Sequence, residues 1–122
     1  LFPYTTLFRS TKYAPSQISA IVLQKIKEFA EQKKWLSAIC AAPTVFDTLK
    51  VFQGKNATCY PTFKDTLEDA VYVEESVVCD DIFITSRGAG TAIDFAAAIV
   101  ERFLGKEEAD DVLKSIIYLS NK

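Results

Sequence analysis

The feature that most constrains this sequence is a pair of junctions at which a short apolar run meets a cluster of small residues and then an amphipathic stretch. Trp35-Leu36-Ser37-Ala38-Ile39 reads as a buried strand ended by Cys40, after which Ala41-Ala42-Pro43-Thr44 opens a helix carrying Val45, Phe46, Leu49 and Val51 as far as Gly54. Proline suits that first turn, where its missing N–H has no partner to lose. Ile82-Phe83-Ile84-Thr85 is a second apolar run, broken by Ser86-Arg87-Gly88-Ala89-Gly90. Thr91 and Asp94 then resemble a capping box opening a helix through Leu104, which Gly105 stops. Strands that feed helices in this way predict a layered α/β sheet with helices on its faces. Sites in such folds form at the carboxyl ends of strands, where both junctions fall.

The remaining segments fill in that layout. Ile18, Ile21, Val22, Ile26, Phe29 and Ala30 share one face of an amphipathic helix that Pro15 and Ser16 start, with Lys33 and Lys34 near its negative end. Ala57 to Tyr60 predicts a short strand, and Pro61 to Asp69 a polar turn-rich segment. Ala70 to Val73 and Val77 to Cys79 read as strands, and a tight turn at Asp80-Asp81 makes Val77 to Thr85 a hairpin. A last amphipathic helix uses Ala109, Val112, Leu113, Ile116 and Ile117. Its charged start at Glu107, Glu108, Asp110 and Asp111 suits the helix dipole and solvent.

Composition removes several function classes. At 122 residues and 49% hydrophobic, the chain suffices for one domain. Fourteen basic against sixteen acidic residues leave a net charge of −2, which argues against a nucleic-acid partner. Apolar stretches such as Phe95 to Val100 fall far short of the roughly 20 residues of a membrane span, so no membrane partner is expected. Three cysteines without CxxC spacing suggest neither a disulfide framework nor a metal site, and fit free thiols in a reducing, cytoplasmic compartment. Histidine is absent, which excludes a Ser-His-Asp or Cys-His triad within the chain. Methionine is absent too, and Leu1 to Ser10 matches one reading frame of a common sequencing-adapter oligonucleotide. Residues 1–10 are therefore expected to be an artefact, although Leu, Phe, Tyr and Thr also suit a strand, and residues 11–122 a partial α/β domain.

Two junctions could carry chemistry. Cys40 has the setting of a nucleophile elbow, with a reactive side chain at a sharp strand-to-helix bend and small neighbours around it. Amide N–H groups at a helix start favour a thiolate, but the dipole contributes at most about 2 kcal/mol, so full activation needs another partner. The competing reading is a free cysteine acting as a small buried hydrophobe. Cys59 and Cys79, within strand-like runs, read as structural. Ser86-Arg87-Gly88-Ala89-Gly90-Thr91 could present N–H groups and a guanidinium to an anion, or be an ordinary loop. Tyr60-Pro61 could rim a pocket.

Taken in order, Ala38-Ile39-Cys40-Ala41-Ala42-Pro43-Thr44, Ala57-Thr58-Cys59-Tyr60-Pro61 and Thr85-Ser86-Arg87-Gly88-Ala89-Gly90-Thr91-Ala92-Ile93-Asp94-Phe95-Ala96 resemble the ThiJ/PfpI family of the class I glutamine-amidotransferase-like superfamily. The resemblance runs from about Ser16 to Leu119. It implies a flavodoxin-like three-layer α/β/α sandwich, incomplete at the N-terminus, and usually a homodimer. It implies no cofactor, Cys40 as the nucleophilic and oxidation-sensitive thiol, and the Ala41 backbone as a holder of negative charge. Tyr60 and Pro61 would stand at the pocket, Tyr60 where the family often has histidine, with Ser86, Arg87, Gly88, Ala89 and Gly90 as its second loop. Ala89 replaces the usual proline, which puts the loop's rigidity in doubt. The protease-like branch has histidine directly after the cysteine, where this chain has Ala41, so the deglycase or glyoxalase-like branch is favoured. The family's early strands, its glycine pair and its acid/base glutamate have no counterpart before Ser16. Three readings follow: a parent enzyme acting on small reactive aldehydes, a redox-responsive or chaperone-like protein whose cysteine is oxidised, and an inactive fragment with an unpaired strand edge.

Overall fold

A computed structural model describes residues 18–118 of the chain. The readings at Leu1 to Ser10, at Pro15 and Ser16, and at Leu119 lie outside these residues. The order is α1 (Ala20–Glu31), β1 (Leu36–Ile39), α2 (Pro43–Thr48), β2 (Asn56–Ala57), a 3-10 helix (Pro61–Thr66), β3 (Val71–Tyr72), β4 (Val77–Asp80), β5 (Phe83–Ser86), a 3-10 turn (Ala89–Thr91), α3 (Ala92–Leu104) and α4 (Lys106–Ser115). Two sheets form: a mixed one in the order β1-β5-β4, and a parallel two-stranded ribbon of β2 and β3. β1 runs parallel to β5, with Leu36 opposite Phe83 and Ile39 opposite Ser86. β4 is antiparallel to β5, from Val77 opposite Ser86 to Asp80 opposite Phe83.

Alternation along β1 and β5 sends side chains to both faces, so the sheet needs cover on each. Leu36, Ala38 and Phe83 face a core completed by Ile26 of α1, Val45 and Phe46 of α2, and Phe52. Phe46, Phe52 and Phe83 meet there with ring centroids 4.7–6.0 Å apart, within the range of favourable aromatic pairs. Ile39 and Ile84 face the other way, onto Phe95 of α3. α4 lies against α3. This is the layered α/β architecture expected from the sequence, and its second core is completed by a single buried helix side chain.

Several boundaries differ from expectation. The first helix begins at Ala20 with Ser19 as its N-cap, and Ile21, assigned to its apolar face, is 70% exposed. The second ends at Thr48 instead of Gly54, so Val51 lies beyond it. Its end is a six-to-one closure in which Val51 N–H donates to Phe46 O at 3.3 Å and Lys50 N–H to Asp47 O at 3.0 Å, with Lys50 at φ 57°. α1 and α4 close alike, through Lys33 at φ 56° and Ile117 at φ 58°. The strand expected over Ala57 to Tyr60 shrinks to Asn56–Ala57, because Thr58 N–H turns to the Thr85 hydroxyl at 2.9 Å. The polar segment after it forms a 3-10 helix. The hairpin turn is Asp81-Ile82, one residue later than expected, with Asp81 at φ 50°. Thr91 precedes α3 as expected, but its hydroxyl does not cap that helix. It accepts from Gly88 N–H at 3.1 Å instead. Of the apolar residues assigned to the last helix, Ala109 is buried, while Val112, Ile116 and Ile117 are exposed.

A lysine in the left-handed region is strained where glycine would not be. Lys50→Gly should therefore raise stability by about 1 kcal/mol in a urea titration, with unchanged stability or a loss counting against the strain.

Candidate active site

Cys40 follows the last residue of β1 and has φ 66°, so the chain turns left-handed at a residue with a side chain. Such a conformation costs roughly 1–3 kcal/mol and persists only where its surroundings enforce it. Here the enforcing groups are visible. Cys40 N–H donates to Ser86 O at 3.1 Å, extending the β1–β5 pairing by one step, and Cys40 O accepts from Tyr60 N–H at 2.8 Å. On the far side of the bend, Ala42 N–H returns to Ile39 O at 3.2 Å. The Thr44 N–H and hydroxyl both reach Ala41 O, at 3.1 and 2.6 Å. Among the described residues the Ala41 N–H donates no hydrogen bond. The bend thus presents a half-buried thiol packed beside Ile39, Ile84 and Phe95, next to an unused main-chain donor. α2 has only six residues, so the donors that matter are those of the bend itself rather than a long helix dipole.

The second loop stands beside it. Gly88 lies against the Tyr60 ring, since a Cβ at Gly88 would meet Tyr60 Cδ2 at 3.5 Å. Tyr60 is 42% exposed and precedes Pro61, the first residue of the 3-10 helix. Cys40, Ala41, Tyr60, Pro61 and Gly88 are thereby brought together. Ser86 joins them only through its carbonyl. Its buried hydroxyl donates to Ser76 O at 2.6 Å and meets Thr91 Oγ1 at 2.7 Å. Arg87 Nη2 makes a long 3.5 Å contact to the exposed Glu74, and its buried Nε has no partner among the described residues. Ala89 and Gly90, both exposed, begin the 3-10 turn. Two clefts among the described residues lie elsewhere: one of about 390 Å³ between α1 and the hairpin turn, and one of about 540 Å³ that holds Cys79 beside Trp35 and Arg102.

Ala89 does not leave the loop slack. Thr91 Oγ1 accepts from Gly88 N–H at 3.1 Å and lies 2.7 Å from the Ser86 hydroxyl, which ties the turn to the end of β5. The Ala89 N–H makes no hydrogen bond among the described residues, and Gly88 is extended at φ 174° and ψ −170°, a conformation that tolerates a following proline. Ala89→Pro should accordingly stabilise the fold by about 0.4–1 kcal/mol, read as a rise in the thermal midpoint.

Two residues that sequence reasoning gave no site role are neighbours of this bend. Cys59 is fully buried, and burial together with nearby Asp47 pushes its thiol up to about 11, against a weaker opposing effect of Arg87. Asp47, on the inner face of α2 and 6% exposed, accepts three backbone N–H groups from the far end of the segment that Tyr60 begins: Glu68 at 2.8 Å, Asp69 at 3.0 Å and Ala70 at 2.9 Å. Its signal in the sequence is an acid set among Val45, Phe46 and Leu49, where a helix turns inward.

A doubly covered α/β sheet with a cysteine at a left-handed strand-to-helix bend defines a class of elbow-bearing flavodoxin-like proteins. Comparison narrows the class. Residues 13–102 match the model of the DJ-1/PfpI family. Protein DJ-1 homolog B of Arabidopsis thaliana is 39% identical over 97 residues, covering 79% of this chain and 22% of that protein. Glutathione-independent glyoxalase DJR-1.2 of Caenorhabditis elegans is 39% identical over 83 residues, covering 66% of this chain and 44% of that protein. The crystal structure of Drosophila melanogaster DJ-1beta superposes with a TM-score of 0.79 at 38% identity, covering 84% of this chain and 56% of that one. The chain belongs to the DJ-1/PfpI family, with its flavodoxin-like fold, and spans about half or less of the length of these relatives.

The Cys59 shift carries a sign. Its folded-state value lies above the ordinary thiol value, so its contribution to stability is complete below about 9 and is lost as pH rises from about 9 to 11. Urea midpoints should fall across that window in the parent and fall less in Cys59→Ala, and equal slopes would contradict the assignment.

Proposed function

We propose that this chain carries the cysteine half of a DJ-1-like site that acts in the stress response on small reactive aldehydes such as methylglyoxal, in a parent protein that is a cytoplasmic homodimer. The single observation that supports this most is the half-buried Cys40 thiol at φ 66° beside the unused Ala41 N–H. The glyoxalase-named relative supports the choice of substrate class. In the reaction, the Cys40 thiolate adds to the aldehyde carbon and the carbonyl pair moves to oxygen, where the Ala41 N–H meets the developing charge. Protonation gives a hemithioacetal. A general base removes the proton from the former aldehyde carbon and returns one to the neighbouring carbonyl carbon, leaving a thioester of the hydroxy acid. Water hydrolyses it and releases the thiol. Tyr60 and Gly88 stand beside the Cys40 bend and would border the bound aldehyde, while Arg87 is turned toward Glu74.

No carboxyl group hydrogen-bonds Cys40 among the described residues, so the proton-moving step rests on a group elsewhere in the parent. In a second reading, which the half-buried thiol beside the unused Ala41 N–H supports equally, Cys40 is oxidised to sulfinate by peroxide and acts as a sensor rather than a catalyst. Methylglyoxal with the 122-residue chain should give a reversible adduct mapped by mass spectrometry to Cys40 ahead of Cys79 and Cys59, without turnover. A chain extended to the complete family domain should turn the aldehyde over and lose that activity in Cys40→Ser. Turnover surviving Cys40→Ser would overturn the enzymatic reading, and oxidation at Cys40 by substoichiometric peroxide with no aldehyde turnover would favour the sensor.

A further inference from the structure

We propose that Asp47 is a positioning residue for the Cys40 pocket: its carboxylate holds the distal end of the segment whose proximal end, Tyr60, forms the pocket rim. The inference rests on the reading that Cys40 meets an electrophile in that pocket. The 3-10 helix Pro61–Thr66 has no buried residue, and its half-buried Phe63 meets the ring of Tyr60 in the same segment, with centroids 6.4 Å apart, so packing does little to hold it against the rest of the fold. Its place is set by its ends. At one end Thr58 N–H is held by the Thr85 hydroxyl and Tyr60 N–H by Cys40 O, at 2.9 and 2.8 Å. At the other, the N–H groups of Glu68, Asp69 and Ala70 converge on the two oxygens of Asp47, and Asp69 passes the connection on by accepting from Gln53 N–H at 2.8 Å and Gly54 N–H at 2.8 Å. Asp47 stands on α2, whose first turn follows the Cys40 bend, so one short helix joins that bend to the far end of the Tyr60 segment. A segment with few buried contacts and two hydrogen-bonded ends moves when either end is freed.

The side chain is suited to this. An ionised carboxylate is acceptor-only and takes three donors with lone pairs to spare, whereas asparagine would turn one NH₂ toward a donor and alanine would leave three N–H groups without their acceptor. The loss should therefore be graded, Asp47→Asn partial and Asp47→Ala complete. Two measurements on the 122-residue chain separate positioning from simple stability. Hydrogen exchange at the Tyr60 amide should quicken about tenfold in Asp47→Ala and by less in Asp47→Asn, while the amides of β5 keep wild-type protection. Alkylation of Cys40, mapped by mass spectrometry, should shift in selectivity, with a bulky maleimide gaining on iodoacetamide as the rim loosens. Faster exchange at 68–70 with wild-type exchange at Tyr60 and unchanged selectivity at Cys40 would overturn the proposal. Where Asp47→Ala fails to fold, the isosteric Asp47→Asn carries the same comparison. If Cys40 in the parent reacts no faster than Cys79, the functional reading fails, while the exchange result still decides whether Asp47 holds the rim.

Discussion

Everything near the thiol depends on the main chain at Cys40 being held from both sides while it turns left-handed. The amide of Cys40 continues the pairing of β1 with β5 through Ser86 O, and its carbonyl is taken by Tyr60 N–H. A residue with a Cβ does not adopt φ 66° cheaply, and no glycine relieves it here. The parallel pairing makes the arrangement possible, because it brings the ends of two strands to the same height and so places the loop after β5 against the bend after β1. The main chain of Cys40 thereby joins the end of β5 to the start of the Tyr60 segment.

That coupling explains the division of labour between the sheet's two cores. The face made by α1 and α2 is aromatic and tightly closed around Phe46, Phe52 and Phe83, and it fixes the height of α2 against the sheet. The opposite face is smaller, with Ile39, Ile84 and Phe95 and the partly buried Cys40 at its margin. A site at the edge of the thinner core keeps its thiol reachable while the thicker core anchors the backbone beneath it. Large aromatic side chains supply most of the burial in such a core.

How much of this was legible in the sequence depended on which kind of signal each residue carried. β1, α3, the hairpin and the order of elements follow from apolar runs and small-residue breaks, and the elbow at Cys40 follows from Pro43 and its neighbours. The helix ends did not, because three helices close through Lys33, Lys50 and Ile117 in the left-handed region, where a reader looks for glycine or asparagine. With Gly54 the next available stop, the sequence pattern predicts an α2 that runs six residues past its observed end at Thr48. The capping pattern at Thr91 misleads for a related reason: a hydroxyl before a helix has several N–H groups within reach, and the one it satisfies is that of Gly88, in the loop. At the site, the motif residues are readable, whereas an acid among apolar neighbours marks Asp47 as buried without saying what it binds, since its partners at 68–70 lie more than twenty residues away and offer only backbone.

The three cysteines show why residue type alone does not locate chemistry. Cys79 is exposed on β4, at the cleft it shares with Trp35 and Arg102. Cys59 is buried, and the burial that protects it also raises the cost of its thiolate, so the charge needed for nucleophilic attack is withheld from it. Cys40 falls between them, half-buried, with an apolar wall on one side and an uncommitted amide on the other. A thiol in mid-strand has no free main-chain donor beside it to meet developing charge, and a fully buried one has no means of meeting a substrate. Orientation and access are both available only where the backbone breaks from the sheet while its neighbours remain in it, and in this chain that condition is met at the bend after β1.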